Sequence, residues 1–278
     1  MKIDLLLQQT PALPALPQVV QELIHTMSDD DVPMHEVAHK LAADQVLSAK
    51  VLRLANSAYY SAPRTVATVD EALRMLGFRT VRTLVVSAGM VGSFQPIAGI
   101  NMPRFWRYGL HTAVGAKHLA RLAECDADLA FTVGLLHSIG RLVMAAGMAD
   151  DMAAIPASVS PFQCRERIEA ERSAFGFTYA DVGAELVKRW NFPDVFYEAI
   201  KGAAEPHAFD PPQVLHAVVH LAAWRARGDE DGAGFAELAA AYPLSVGAIA
   251  GLSVEFVLHD MPPLVELSVG LEELLSHA

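Results

Sequence analysis

At 278 residues the chain is long enough to bury a sizeable core in one large or two ordinary domains without disulfide or metal staples. Hydrophobic residues make up 53% of it, with alanine and leucine rather than aromatics supplying the excess, a composition that favours helix. A formal charge of −11 disfavours nonspecific binding to nucleic acid or an anionic membrane, and two cysteines, Cys125 and Cys164, are too few for a disulfide framework and suit a reducing cytoplasm.

The opening Met1-Lys2-Ile3-Asp4 puts an acid where a secretory signal would continue its apolar run, so no such leader is expected. Pro11 to Pro17 sets an extended approach, and the first helix is expected from Gln18, with Val19, Val20, Leu23 and Ile24 at helical spacing. Ser28 to Asp31 breaks it. A second helix spans Met34 to Ala43. A third is capped by Asp44, with Leu47, Val51, Leu54 and Ala55 on one face and Asn56-Ser57 at its end. Thr68-Val69-Asp70-Glu71 reads as a capping box, and Gly77 stands where a left-handed helix terminator belongs. Val81, Leu84 and Val85 fit a helix as well as a strand. Thr83 to Pro103 carries no charge, but its glycines, Gln95, Pro96 and Asn101 argue against a membrane span.

Gly92 to Pro103 is expected to link two lobes. The helix beyond it, Arg104 to about Glu124, aligns Trp106, Leu110, Ala113, Val114 and Leu119. Next comes an apolar helix, Phe131 to Met144, with one polar interruption at His137-Ser138. A break over Asp150 to Ser160 and a helix over Pro161 to Ala174 follow. Thr178 and Asp181 cap a helix from Ala180 to Trp190, which Asn191-Phe192-Pro193 ends. Leu215, Val218, Val219 and Ala222 form another apolar stripe, Gly228 to Gly234 is expected to be a surface loop, and two last helices are expected over Ser245 to His259 and Leu264 to Ser276.

Leu13-Pro14-Ala15-Leu16-Pro17, then Asp44 to Tyr60, then Val69 to Phe78, followed by the helix with His137-Ser138, resemble the successive signatures of the HDOD family, the His-Asp-related output domain of bacterial signalling proteins. The resemblance covers roughly Thr10 to Trp224. It implies an all-α fold, an N-terminal helical bundle (1–100) followed by a helical lobe (101–278) similar to the His-Asp phosphohydrolase core, and a cytoplasmic protein.

In that superfamily imidazoles and carboxylates hold divalent metal, which makes hydroxide from water and clamps a phosphate. Set against the superfamily pattern, the first ligand position falls at Tyr108, with His111 one turn further on. The central pair is His137 and Ser138, a serine where the pattern has aspartate, and a serine hydroxyl is a poor ligand for these ions. The next histidine position falls at Tyr179. The paired histidines fall near Ala203 and Ala204, with His207 three residues beyond, and the last aspartate falls at Ala223. Only His137 survives in place, so the resemblance implies no catalytic residue, no metal and no cofactor. His137 is expected to be a neutral core histidine, bonded to a backbone carbonyl or to one of the tyrosines in ligand positions. His216 and His220 have metal-binding spacing without a third ligand. The chain has no phosphate-binding Gly-rich loop and no nucleophile elbow, and Cys125 between Glu124 and Asp126 is a poor nucleophile.

Arg79 and Arg82, with Arg104 and Arg107, are candidates for a basic cluster near the lobe junction that takes a small anionic ligand such as a nucleotide; the alternative is solvated arginines on helix faces. Asn56 caps a helix end and, with the segment to Tyr60, is a candidate partner surface. The function expected is a non-catalytic regulatory module that acts by contact with signalling proteins, with no membrane partner and no nucleic acid. The alternatives are a metal-dependent phosphohydrolase of a nucleotide or cyclic dinucleotide, with His111, His137 and His207 or His220 as ligands, and a nucleic-acid-binding regulator, against which the overall charge counts.

Overall fold

A computed structural model describes residues 3–9, 15–28, 34–60, 64–155 and 164–275, and among them every regular element is helical. The first six helices are α1 (Ile3–Gln9), α2 (Gln18–His25), α3 (Met34–Ala43), α4 (Gln45–Ala55), α5 (Val69–Leu76) and α6 (Phe78–Ser93). After a connection over 94–101 come α7 (Met102–Leu122), α8 (Ala127–Leu136), α9 (Gly140–Gly147), α10 (Cys164–Phe175), α11 (Tyr179–Arg189) and α12 (Asp194–Ala204). α13 (Val214–Asp231), α14 (Phe235–Ala240), α15 (Leu244–Ala250) and α16 (Leu264–Leu267) complete the set.

Local chemistry accounts for many of these boundaries. The Asp44 carboxylate accepts from the N–H groups of Val46 and Leu47 and opens α4. Asn56 closes α4: its amide donates to the carbonyls of Leu52 and Val66, and its oxygen accepts from the Val66 N–H at 2.7 Å. Thr68 accepts from the Glu71 N–H, and Glu71 reaches back to the Ala67 N–H, one residue earlier than a reciprocal box would place it. Gly77 has φ 82° and ψ 157°, so it turns the chain through an extended, glycine-favouring conformation instead of the left-handed terminator expected. The run Val81–Val91 is helix, and it is buried all round, which is why its periodicity was ambiguous.

Several expectations are corrected. α1 precedes the first helix read from the sequence and buries Leu6 and Leu7 against α9 and α11. The apolar helix around His137 is two helices, with 137–139 as the turn between α8 and α9. Gly228–Asp231 is not surface loop but the last turn of α13, with Gly228 buried under Leu238 and Gly232 closing the helix in the left-handed conformation. The two last helices expected are instead short pieces: α15, a wide turn at Phe256–Asp260, α16 and a 3-10 turn at Glu272–Leu275. Pro161–Gln163, expected to begin a helix, lie outside the described residues, as do Leu13 and Pro14.

α7 is the spine of the second group of helices and packs on α8, α13 and α16. One continuous hydrophobic core joins the two groups, with α6 against α8, α1 against α9 and α11, and the Glu272–Leu275 turn against α4, α6 and α7. Among the described residues, only the run Ala127–Gly147 is apolar and long enough by composition to cross a membrane, and 83% of its most apolar window is buried inside the fold.

Candidate functional site

The turn between α8 and α9 fixes His137. Its Nδ1 lies 2.6 Å from the carbonyl oxygen of Gly134, one turn back, so Nδ1 carries the proton and donates it. Nε2 is then the acceptor, and it receives the hydroxyl of Tyr108 at 3.1 Å across the α7–α8 contact. The two rings meet edge to face at 5.2 Å. Burial drives the His137 pKa down to about 3; the hydrogen bond to Gly134 opposes that shift, and the nearby charge of Arg141 adds to it. Both partners foreseen for this histidine, a backbone carbonyl and a tyrosine at a ligand position, are present. Ser138 is fully enclosed, and its hydroxyl makes no hydrogen bond among the described residues.

Other ligand positions converge on the same region without bringing metal-binding groups. Ala223 is buried on α13, with its carbonyl oxygen 3.5 Å from the Tyr108 hydroxyl, too long for more than a marginal contact. The Ala203 carbonyl accepts from His220 Nδ1 at 2.8 Å, and burial holds the His220 pKa at about 4. Ala204, the next residue, is half-buried. His216, one turn from His220, packs on Phe209. His111 points elsewhere: with Trp106, Arg107, Ser268 and Glu272 it lines a separate pocket of about 360 Å³ beneath the C-terminal turns. His207 is exposed and pairs with the Ser245 hydroxyl at 2.9 Å. Of the alternative ligand set, His111 and His207 stand apart from His137, whereas His220, the alternative to His207, lies near it with its Nδ1 bonded to the Ala203 carbonyl. Among the described residues no group of three or more His, Cys, Asp or Glu is arranged to hold a metal ion. The donor set does not fit one, because the lone pair that His137 would offer already accepts a hydrogen bond.

Tyr179 is placed by the crossing of α9 and α11. A Cβ on Gly140 would lie 2.0 Å from the Tyr179 carbonyl oxygen, so the two backbones approach there as only glycine permits. Thr178 and Asp181 form the reciprocal capping box that starts α11. The Tyr179 N–H donates to Glu171 at 2.7 Å, and the other oxygen of Glu171 accepts from Arg167 at 2.5 Å. The Tyr179 ring lies under the Arg141 guanidinium, 4.1 Å from its centroid.

The four arginines foreseen as one cluster lie in two places beside acids: Arg79 and Arg82 share a pocket, whereas Arg104 and Arg107 share Glu230 but line different cavities. Arg79 approaches Asp126 at 4.0 Å, Arg82 donates to the Thr26 carbonyl, and both line a small cavity with Asp126 and Asp128. Arg104 and Arg107 both donate to the buried carboxylate of Glu230, at 3.2 and 2.7 Å. Burial alone would raise the Glu230 carboxyl, but the hydrogen bonds from Arg107 and Arg104 outweigh it and hold the group below its ordinary range. The sequence reading missed Arg141 and Arg167. With Arg104 they line a cavity of about 440 Å³ between the 94–101 connection and α7, α9 and α10. The available signal was Arg141 itself, the one charge inside the apolar run from Phe131 to Met144.

A family model described as HDOD domain matches residues 13–206. The structure resembles that of an inferred phosphohydrolase from Shewanella amazonensis SB2B, with 28% identity, 98% of each chain covered and a TM-score of 0.77. It also resembles an inferred signal transduction protein from Marinobacter aquaeolei VT8, with 26% identity over 94% of this chain and 57% of that one, and a TM-score of 0.66. A protein of Treponema pallidum (strain Nichols) is 24% identical over 222 residues, which span 76% of this chain and 41% of the relative's length.

Proposed function

Since the chain belongs to the HDOD family, we propose that it is a signal-transduction module without catalytic activity, built on a His-Asp phosphohydrolase scaffold and acting by contact with signalling proteins in the cytoplasm. The observation that carries this reading is the hydrogen bond from Tyr108 to His137 Nε2. A metal ligand must present that lone pair to the ion, and here the residue at the first ligand position occupies it. Ser138, Tyr179, Ala203 and Ala223 supply no carboxylate or imidazole to replace what is lost. The likeness to the Marinobacter protein supports the signalling half of the proposal, and the likeness to the Shewanella protein supports the descent of the scaffold.

The test is elemental analysis of protein purified without added metal, followed by assay of a generic phosphodiester in the presence of manganese. The expected result is substoichiometric metal and no turnover above buffer. One equivalent of iron or manganese together with turnover abolished by His137→Ala would replace this reading with that of a phosphohydrolase.

A further inference from the structure

The cavity of about 440 Å³ beside Tyr179 has an unusual wall for this chain. Acidic residues outnumber basic ones 32 to 21 over the sequence, yet Arg104, Arg141 and Arg167 line the cavity, and no carboxylate stands among its described lining residues. Arg141 and Arg167 are only 6% and 8% exposed, so their guanidinium groups are held largely out of bulk water. Glu171 is already the counter-charge of Arg167, as Glu230 is of Arg104, so what these guanidinium groups offer a ligand is their further N–H donors. Their orientations are also set in advance. Arg141 is stacked on Tyr179, and Arg167 is bonded to Glu171, which is itself fixed by the Tyr179 N–H. Asn101, whose side chain caps α7 by accepting from the Arg104 N–H, adds an amide at the rim. The rest of the wall is apolar, with Ile100, Phe105 and Met152 among it.

We propose that this cavity binds a small organic phosphate of about mononucleotide size, its phosphate held by Arg104, Arg141 and Arg167 and its apolar body against Ile100 and Phe105. Guanidinium forks match phosphate oxygens in pairs, and they stay charged at every physiological pH. The volume lies in the range of small-molecule sites. A guanidinium has five N–H donors, so an arginine already paired with a carboxylate can still bind a phosphate oxygen. The site lies under the connection that joins the two groups of helices, so a bound ligand touches that connection, α7, α9 and α10 together. This extends the signalling reading by naming the chemistry of an input.

The test is calorimetric titration with AMP, pyrophosphate and adenosine in buffer containing EDTA. AMP is expected to bind saturably, pyrophosphate more weakly, and adenosine at least tenfold more weakly than AMP. Arg141→Gln and Ala149→Trp should each weaken AMP binding at least tenfold, whereas Arg79→Gln, on a different pocket, should leave it unchanged. Ala149 is exposed at the cavity wall, so its replacement narrows the site in a folded protein even if Arg141→Gln does not fold; circular dichroism checks both. Saturable binding of either anion that Ala149→Trp weakens tenfold supports the proposal. Absence of saturable binding at millimolar concentration, or binding indifferent to Ala149→Trp, overturns it. Hydrolysis of AMP would instead count against the non-catalytic reading and leave the site standing.

Discussion

His137 donates to Gly134 and accepts from Tyr108, so both ring nitrogens are used and the ring is neutral. Removing the tyrosine hydroxyl leaves a buried acceptor without its donor, which costs about 1–3 kcal/mol. Tyr108→Phe should therefore lose that much stability in urea denaturation; a change below about 0.5 kcal/mol, the range of an inconsequential surface substitution, would mean that the bond contributes nothing. Acid should act at the same place. The folded pKa of His137 is about 3 and those of His216 and His220 about 4, all below the ordinary value near 6.5, so the unfolded chain takes up protons first as pH falls. The stability they contribute is complete above pH 6.5 and is lost as pH drops toward 4. His137 alone contributes a slope of up to about 1.4 kcal/mol per pH unit. Urea midpoints at pH 7, 6 and 5 should fall in that order, and His137→Gln should flatten the fall; a midpoint unchanged between pH 7 and 5 would refute this. The environment of His137 was legible in the sequence because one turn of helix and one tyrosine define it. The role of Arg141 was not, because the cavity it lines is built from three separate stretches of the chain.

The crossing of α9 and α11 is the contact that carries Tyr179 to its place, and it depends on a glycine on each side. At Gly140 a Cβ would meet the Tyr179 carbonyl oxygen and the Gly183 nitrogen, at 2.0 and 2.6 Å, and backbone cannot move aside as a side-chain tip can. At Gly183 the nearest atoms are at 3.3 and 3.4 Å. Gly140→Ala should therefore cost about 3 kcal/mol or more, at or beyond the upper end of ordinary overpacking, while Gly183→Ala stays below about 1.5 kcal/mol. Equal effects of the two in chemical denaturation would show that the crossing is not what holds α11. Elements like these were legible where the deciding chemistry is local, as in the caps at Asp44, Thr68 and Thr178. Where a distant partner decides, reading failed. Gly228 to Asp231 has the composition of a loop, yet the clamp of Glu230 on Arg104 and Arg107 and the packing of Leu238 on Gly228 keep it helical. α1 went unseen because seven residues bearing two buried leucines carry no periodic signal, and its partners lie more than a hundred residues away.

Across the whole molecule, the last described turns join the two groups of helices. The Glu272–Leu275 turn lies against α4 and α6 of the first group and α7 of the second, with Leu271 and Leu274 fully buried. An ion pair, Arg53 with Glu273 at 3.2 Å, bridges the same contact, but both side chains are about half exposed. Exposed pairs of this kind are worth less than about 1 kcal/mol, whereas truncating a fully buried leucine to alanine costs about 2–5 kcal/mol. Apolar burial, not charge, is therefore what ties the groups together. Leu274→Ala should lower the free energy of unfolding by that larger amount and reduce hydrogen-exchange protection in α4 and α6 as well as in α7, since one core runs through all three. Arg53→Ala should shift stability by no more than about 0.5 kcal/mol. If the two substitutions cost the same, or if Leu274→Ala weakens protection in α7 alone, the turns do not couple the two groups and the core behaves as two.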